Sequence, residues 1–320
     1  MHVRNPYNDA VVETVHEHTI EEVTKVIEEA YAMRTEFAQM PAHEKASILV
    51  RAADLISERS EEFAECIALE SGKPLRYARG EVSRCTETLT FAADVARSLH
   101  GETIPMSAAK GGVGKVGYFV REPVGVVGAI TPFNFPLNLV AHKVAPAIAV
   151  GCPIVLKPSP MTPLTAIKLA EVMIDAGLPE GLFTVVVGDV EVGKLVTTHP
   201  NIAMISFTGS PSVGEAISKV AGLRRTTFEL GGNAATVIDE NTNIRDFKTN
   251  LNFANLGVVF NLSKSDIETS KFKGGSFAIT LTRESNFHQD YNYDGVNTTE
   301  PVNRSSIVES WMDEAWDIHP

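Results

Sequence analysis

Four short segments of this 320-residue chain carry side chains that can do chemistry together. In Thr131-Pro132-Phe133-Asn134-Phe135-Pro136, an amide sits between an apolar run and a helical pattern. Asn134 can therefore donate to a developing oxyanion, or cap the helix. Lys157 ends the apolar run from Ile154 and is followed by Pro158-Ser159, where an ammonium reaches a cofactor's ribose or meets solvent. Phe207-Thr208-Gly209-Ser210, continuing to Val213-Gly214, sets small residues at a helix start, a place for a pyrophosphate. Phe228-Glu229-Leu230-Gly231-Gly232 places a carboxylate after an apolar run, where it can activate water as a general base. Each segment alone reads more simply, as a cap, a solvated charge, a glycine turn or a surface glutamate.

Their order gains weight from the elements that must position them. Helical periodicity predicts helices over Thr19–Met33, with a Thr19/Glu22 capping box, Ala42–Ser57, Ser60–Glu70 with Ser60 as cap, and Leu75–Leu99. Short β-rich runs then alternate with helices. The strands fall at Val124–Ile130, Ile154–Lys157, Phe183–Val187 and Ala203–Phe207, with two more at Thr226–Leu230 and Ala235–Ile238. The helices between them fall at Leu137–Ala149, Thr165–Ala176, Val190–Thr197 and Ser212–Val220. Such alternation predicts an α/β fold, with N-terminal helices and a mostly parallel, Rossmann-like dinucleotide-binding sheet. Gly112-Val113-Gly114-Lys115-Val116-Gly117 matches a dinucleotide fingerprint in letters only. No strand pattern precedes it and no helix follows, so a hairpin turn is expected there.

Taken in order, the four segments resemble the aldehyde dehydrogenase superfamily over residues 5 to about 240. The likeness begins at Asn5-Pro6-Tyr7 and passes through Glu70-Ser71-Gly72-Lys73-Pro74. It is densest from Arg121-Glu122-Pro123-Val124-Gly125 to Gly232, including Ala141-His142-Lys143 and Ala145-Pro146-Ala147. It is similar above all to the lactaldehyde and non-phosphorylating glyceraldehyde-3-phosphate dehydrogenase branch. The resemblance implies NAD or NADP as cofactor and a small aldehyde as substrate, oxidised to the carboxylic acid. It implies Asn134 as oxyanion amide and Glu229 as the base that activates water. Thr131, Pro132, Phe133, Lys157, Ser159, Gly209, Ser210, Val213, Leu230 and Gly231 would line the cofactor, with Lys157 at the ribose and Gly209 and Ser210 at the pyrophosphate. Pro160 stands where NAD-preferring relatives often carry a ribose-clamping glutamate, which keeps NADP open.

The departure from the family lies in sulfur. The three cysteines are Cys66, Cys85 and Cys152, and none follows Glu229. The family's nucleophilic cysteine belongs to a loop like F-x-N-x-G-Q-x-C. Here Phe253-Ala254-Asn255-Leu256-Gly257-Val258-Val259-Phe260 is the nearest echo, and it sets Phe260 at the thiol position. Phenylalanine is no nucleophile, so impaired or absent turnover is expected. Composition also shifts near residue 240: the first 240 residues hold 29 alanines and 6 asparagines, the last 80 hold 3 and 10. That predicts two parts, the family-like helices and NAD(P)-binding domain over 1–240, and a divergent tail over 241–320 unlike the family's catalytic domain. Within the tail, Ser276–Thr282 alternates as a half-buried strand and Ser306–Trp316 as a short amphipathic helix carrying Trp311 and Trp316.

Bulk properties narrow the remaining classes. A net charge of −12 argues against a nucleic-acid partner, and no apolar run suits a membrane span. Three dispersed cysteines suit neither a disulfide framework nor a metal site, and a cytoplasmic setting is expected. Two rival readings stand beside the enzyme: a catalytically silent nucleotide-binding or interaction module, and a truncated or fused gene product. The last would expose apolar surface around Ile205, Phe207 and Phe228 and favour self-association into a homo-oligomer.

Overall fold

The computed structural model describes residues 1–232 and three strands further on, Asn255–Leu262, Gly275–Thr282 and Tyr291–Gly295. The chain divides into two compact units, Met1–Gly231 and Gly232–Pro320.

In the first unit a small hairpin, β1 (His2–Arg4) and β2 (Val11–Thr14), leads into four helices: α1 (Ile20–Gln39), α2 (Ala42–Glu58), α3 (Ser60–Ser71) and α4 (Leu75–Ser98). The capping box at α1 forms as read, with the Glu22 amide donating to Thr19 Oγ1 at 3.2 Å and the Thr19 amide donating to Glu22 Oε2 at 2.7 Å. The helix runs past Met33 because Phe37 is still turned into the core and no proline interrupts before Pro41. Ser60 caps nothing. The α2 helix ends at Glu58, and Arg59 alone separates it from α3, in which Ser60 is the first residue. The α3 helix stops at Gly72, which takes the left-handed conformation (φ 70°) that glycine adopts without strain.

Next come β3 (Glu102–Ile104) and β4 (Gly117–Phe119), an antiparallel pair. The glycine-rich stretch at 110–117 lies in their connection, as a hairpin turn, and no helix follows it. Beyond it the elements alternate: β5 (Val126–Ile130), α5 (Asn138–Val150), β6 (Ile154–Lys157), α6 (Leu164–Asp175), β7 (Phe183–Val185), α7 (Val190–Thr198), β8 (Ile202–Thr208), α8 (Pro211–Ala221) and β9 (Arg225–Glu229). The five strands form one parallel sheet in the order β7-β6-β5-β8-β9. The chain leaves β5 toward β6 on one side and later returns to β8 on the other. Ligands of open α/β sheets bind at this kind of switch point, beyond the carboxyl ends of the strands.

Alternation along the strands sorts the core into two faces. Ile154 and Leu156 pack with α2, α4, α5 and α6, while Val155 joins residues of α1, α7 and α8. Every residue of β6 is buried, as a central parallel strand covered on both faces requires. Ile205 and Phe207 are buried under α7 and α8, and Phe228 packs against them half-exposed. Ile205 and Phe207 are thus covered by helices of the same unit, and of the three only Phe228 is partly exposed. Among the described residues, no helix is long and apolar enough to cross a membrane.

The second unit holds β10 (Asn255–Leu262), β11 (Gly275–Thr282) and β12 (Tyr291–Gly295) in one antiparallel sheet. The strand read at Ser276–Thr282 is β11. The stretch read as a loop ending at Phe260 is instead strand from Asn255 onward, where Val258-Val259-Phe260 is a β-favouring run. The strand at Ala235–Ile238 and the helix at Ser306–Trp316 lie outside the described residues.

Gly128 lets α7 approach the centre of the sheet: a Cβ there would stand 2.7 Å from the Val196 carbonyl oxygen. Gly128→Ala should lower the unfolding free energy by about 1–3 kcal/mol in urea titrations, the usual cost of overpacking. Gly111→Ala, with nothing within 4 Å of its Cβ, is the control. Equal stability of the two variants would refute the close approach.

Candidate active site

The expected site residues of the first unit lie at the carboxyl edge of the sheet, in the turns after β5, β6, β8 and β9. The turn after β5 begins at buried Thr131, whose amide donates to the Lys157 carbonyl at 3.2 Å and so ties two strand ends together. Its hydroxyl is buried without a hydrogen-bond partner. Pro132 is half-buried, and Phe133 and Asn134 are exposed. Asn134 does not cap α5. The helix starts four residues later, and its first amides are satisfied from another element: Glu81 of α4 accepts from Leu137 N at 2.9 Å and from Asn138 N at 3.1 Å. Among the described residues the Asn134 side chain has no hydrogen-bond partner.

Glu81 is fully buried and also pairs with Lys73, whose Nζ stands 3.9 Å above the Phe135 ring. Arg84, one turn along α4, faces the same ring at 5.7 Å. It is exposed and has no ion-pair partner among the described residues.

The α6 helix repeats the arrangement. Glu70 of α3 accepts from Leu164 N at 2.7 Å, from Thr165 N at 3.1 Å and from the Thr165 hydroxyl. In the turn that this fixes, the Ser159 hydroxyl oxygen accepts from Met161 N at 3.2 Å. Lys157, just before it, is buried, and its ammonium has one long bond, 3.4 Å to the Pro158 carbonyl. Burial pushes its pKa down, and the charge of Asp189 opposes this. An under-satisfied buried ammonium at a strand end suits a ribose diol.

On the other side of the switch point, Ser210 is the N-cap of α8, with Val213 N donating to its Oγ at 3.4 Å. The Gly209 amide donates to the Glu229 carbonyl at 3.0 Å, which pins this turn to β9. Val213 and Leu230 are both exposed, and Leu230 leans on Gly214, where a Cβ would meet it at 2.5 Å. Gly231 lies against Pro211, at 3.3 Å by the same measure. The exposed Glu229 carboxylate accepts from the Thr208 hydroxyl at 3.0 Å, its register partner on β8.

Three residues of this neighbourhood carried no role in the sequence. Ser206 and Thr208 share a face of β8 with Glu229, and buried Lys143 of α5 donates to Ser206 Oγ there at 3.2 Å. Burial lowers the Lys143 pKa while the Glu229 charge raises it, and His142 beside it responds to the same two influences in the same order. Arg84 further lowers His142. The signal for Lys143 was an ammonium inside an otherwise apolar helix.

No thiol joins the cluster. Cys66, Cys85 and Cys152 are all buried, and burial pushes every one of them up, Cys66 to about 12. Cys152 also precedes β6, at the opposite end from Lys157. Phe260 lies on β10 of the second unit. Among the described residues no cluster of metal ligands occurs. An open cavity of about 800 Å³ lined by Glu122, Arg224 and Arg225 lies at the amino ends of β5, β8 and β9, away from this edge. Its Arg224 is committed to the carbonyls of Val220 and Ala221.

The model of the aldehyde dehydrogenase family matches residues 1–258. A 3-sulfolactaldehyde dehydrogenase of Priestia aryabhattai is 37% identical over 322 residues, covering 100% of this chain and 64% of that protein. Aldehyde dehydrogenase 21 of Physcomitrella patens, solved with the reaction product succinate, superposes with a TM-score of 0.71 at 39% identity, over 73% of this chain and 49% of its own. The glyceraldehyde-3-phosphate dehydrogenase GapN of Methanocaldococcus jannaschii, complexed with NADP, gives 0.68 at 40% identity, over 72% and 51%. The chain thus spans about half to two thirds of the length of these relatives. The family match passes residue 240, and the Priestia alignment runs through the tail.

Glu70 supplies a pH test of the capping arrangement. Burial lifts its carboxyl pKa from 4.5 to about 7, against the pull of its three donors. The folded state therefore holds this proton more tightly than the unfolded chain does. The associated stability is complete below about pH 4.5 and is lost as pH rises through 7, amounting to about 3 kcal/mol. Urea titrations from pH 4.5 to 8 should show that slope in the wild type and not in Glu70→Gln. Parallel curves would refute it.

Proposed function

Because this chain belongs to the aldehyde dehydrogenase family, we propose that its first unit binds a nicotinamide dinucleotide and presents an aldehyde to Asn134 and Glu229. One observation carries this reading above the others. Glu81 relieves Asn134 of capping, while Thr208 holds Glu229 at the same sheet edge. In this reading Asn134 donates to the oxygen of the aldehyde as negative charge develops on it. Glu229, its carboxylate held by the Thr208 hydroxyl, draws a proton from water. Lys157 and Ser159 hold a ribose, and Gly209, Ser210 and Val213 hold a pyrophosphate at the amino end of α8. Thr131, Pro132, Phe133, Leu230 and Gly231 line the remainder. The cofactor, NAD or NADP, supplies the hydride acceptor when bound.

The substrate class we infer is an aldehyde with an anionic group. Arg84 supports this, as an exposed guanidinium without a carboxylate partner beside the Asn134 turn. The relatives named for 3-sulfolactaldehyde and glyceraldehyde-3-phosphate, and the one solved with succinate, all handle anions.

This chain supplies no thiol for the covalent step. Its turnover is accordingly impaired, and the second reading is a nucleotide-binding module without oxidation. The buried, proton-retaining state of all three cysteines favours that second reading. Loss of a covalent nucleophile costs on the order of 10⁶ in rate where it has been dissected in a serine protease.

Calorimetry with NAD and NADP is the direct test: at least one should bind, and Lys157→Met should weaken it about tenfold, the loss of a charge-assisted hydrogen bond. Failure of both nucleotides to bind sinks the proposal. Arg84→Gln should weaken binding of carboxylated or sulfonated aldehydes by a similar factor and spare neutral ones. Nucleotide-dependent aldehyde oxidation that resists thiol alkylation but is lost in Glu229→Gln would overturn the claim of impairment.

A further inference from the structure

The pentapeptide Glu70–Pro74 has no place in the proposed chemistry, yet its two charged residues reach two of the four turns on which that site is built, those after β5 and β6. The left-handed Gly72 turns the chain so that Glu70 faces α6 and Lys73 faces α4 and the start of α5. Pro6 closes over the glycine, 2.9 Å from where a Cβ would be. Lys73 pairs with Glu81 and covers Phe135, the residue after Asn134. The same Glu81 holds the amides of Leu137 and Asn138. Between these two grips lies only Pro136, whose ring fixes φ.

A helix start needs no such apparatus, since a Ser, Thr or Asp at the cap position would satisfy it locally. A local cap fixes a turn to its own helix alone. A carboxylate delivered from α4 also fixes the turn to a second element, at the cost of burying an ion pair. Resting on the reading of Asn134 as the oxyanion donor, we propose that Lys73 and Glu81 are positioning residues that hold the Asn134 turn in register with the helical layer. Lys73 acts through the Phe135 ring and Glu81 through the α5 amides.

Amide hydrogen exchange of the full chain, read by mass spectrometry, tests this. Segment 131–139 reports on the turn, and segment 164–172, held by Glu70 instead, is the internal control. Lys73→Met should speed exchange of 131–139 about tenfold and leave 164–172 unchanged, as a local opening does. Lys73→Arg should restore the wild-type pattern. Phe135→Leu removes the ring without stranding a buried charge, and it decides the matter should Lys73→Met not fold. Where aldehyde oxidation is measurable, kcat should fall about tenfold or more in Lys73→Met and recover in Lys73→Arg, with KM and nucleotide affinity held, since only transition-state alignment is lost. Unchanged exchange of 131–139, or an equal rise in both segments, overturns the proposal. A wild-type protein that binds no nucleotide and oxidises no aldehyde sinks the functional reading alone, because the exchange pattern still decides the positioning.

Discussion

Two buried carboxylates hold this molecule's site in place. A helix that follows a parallel strand begins with unpaired amides pointing toward the sheet's carboxyl edge, and these must be satisfied or solvated. At α5 and α6 the partners are Glu81 and Glu70, carried by α4 and α3 from outside the alternating region. Because the acceptors belong to the helical layer, satisfying the amides locks that layer to the two turns that follow β5 and β6. The N-terminal helices are thus part of the site's frame.

The other half of the edge is organised by strand register. Pairing of β8 with β9 sets Thr208 opposite Glu229 and leaves Ser206 on the same face, two residues back. Lys143 reaches that face from α5, and the charge of Glu229 favours its ammonium against the effect of burial. A buried lysine with a single hydroxyl partner would be costly in isolation. Next to the carboxylate it becomes part of one electrostatic unit, into which His142 and Arg84 also enter.

Much of this was legible one segment at a time. The Thr19/Glu22 box and the strands of the parallel sheet follow from patterns that span a few residues, and each appears where those patterns put it. Ser60 has the chemistry of a cap but no room to act as one, because α2 runs to within two residues of it and Arg59 alone intervenes. In the segment ending at Phe260, likeness to the family's loop competes with the β-favouring run Val258-Val259-Phe260, and the segment is strand from Asn255. Asn134 within its own segment reads more simply as a cap, and the helix start at Asn138 with its amides on Glu81 is what removes that role.

The sequence by itself determined the kinds of element, their order and the arrival of Asn134, Lys157 and Glu229 at strand ends. Periodicity and alternation are local properties of a chain, and a parallel α/β arrangement converts them directly into one edge. Only the tertiary structure decided which carboxylate meets which helix and which lysine is buried beside Glu229. The bonds of Glu81 to Leu137, Glu70 to Leu164 and Lys143 to Ser206 join residues separated by 56, 94 and 63 positions, and no short-range pattern encodes contacts made solely when the layers pack.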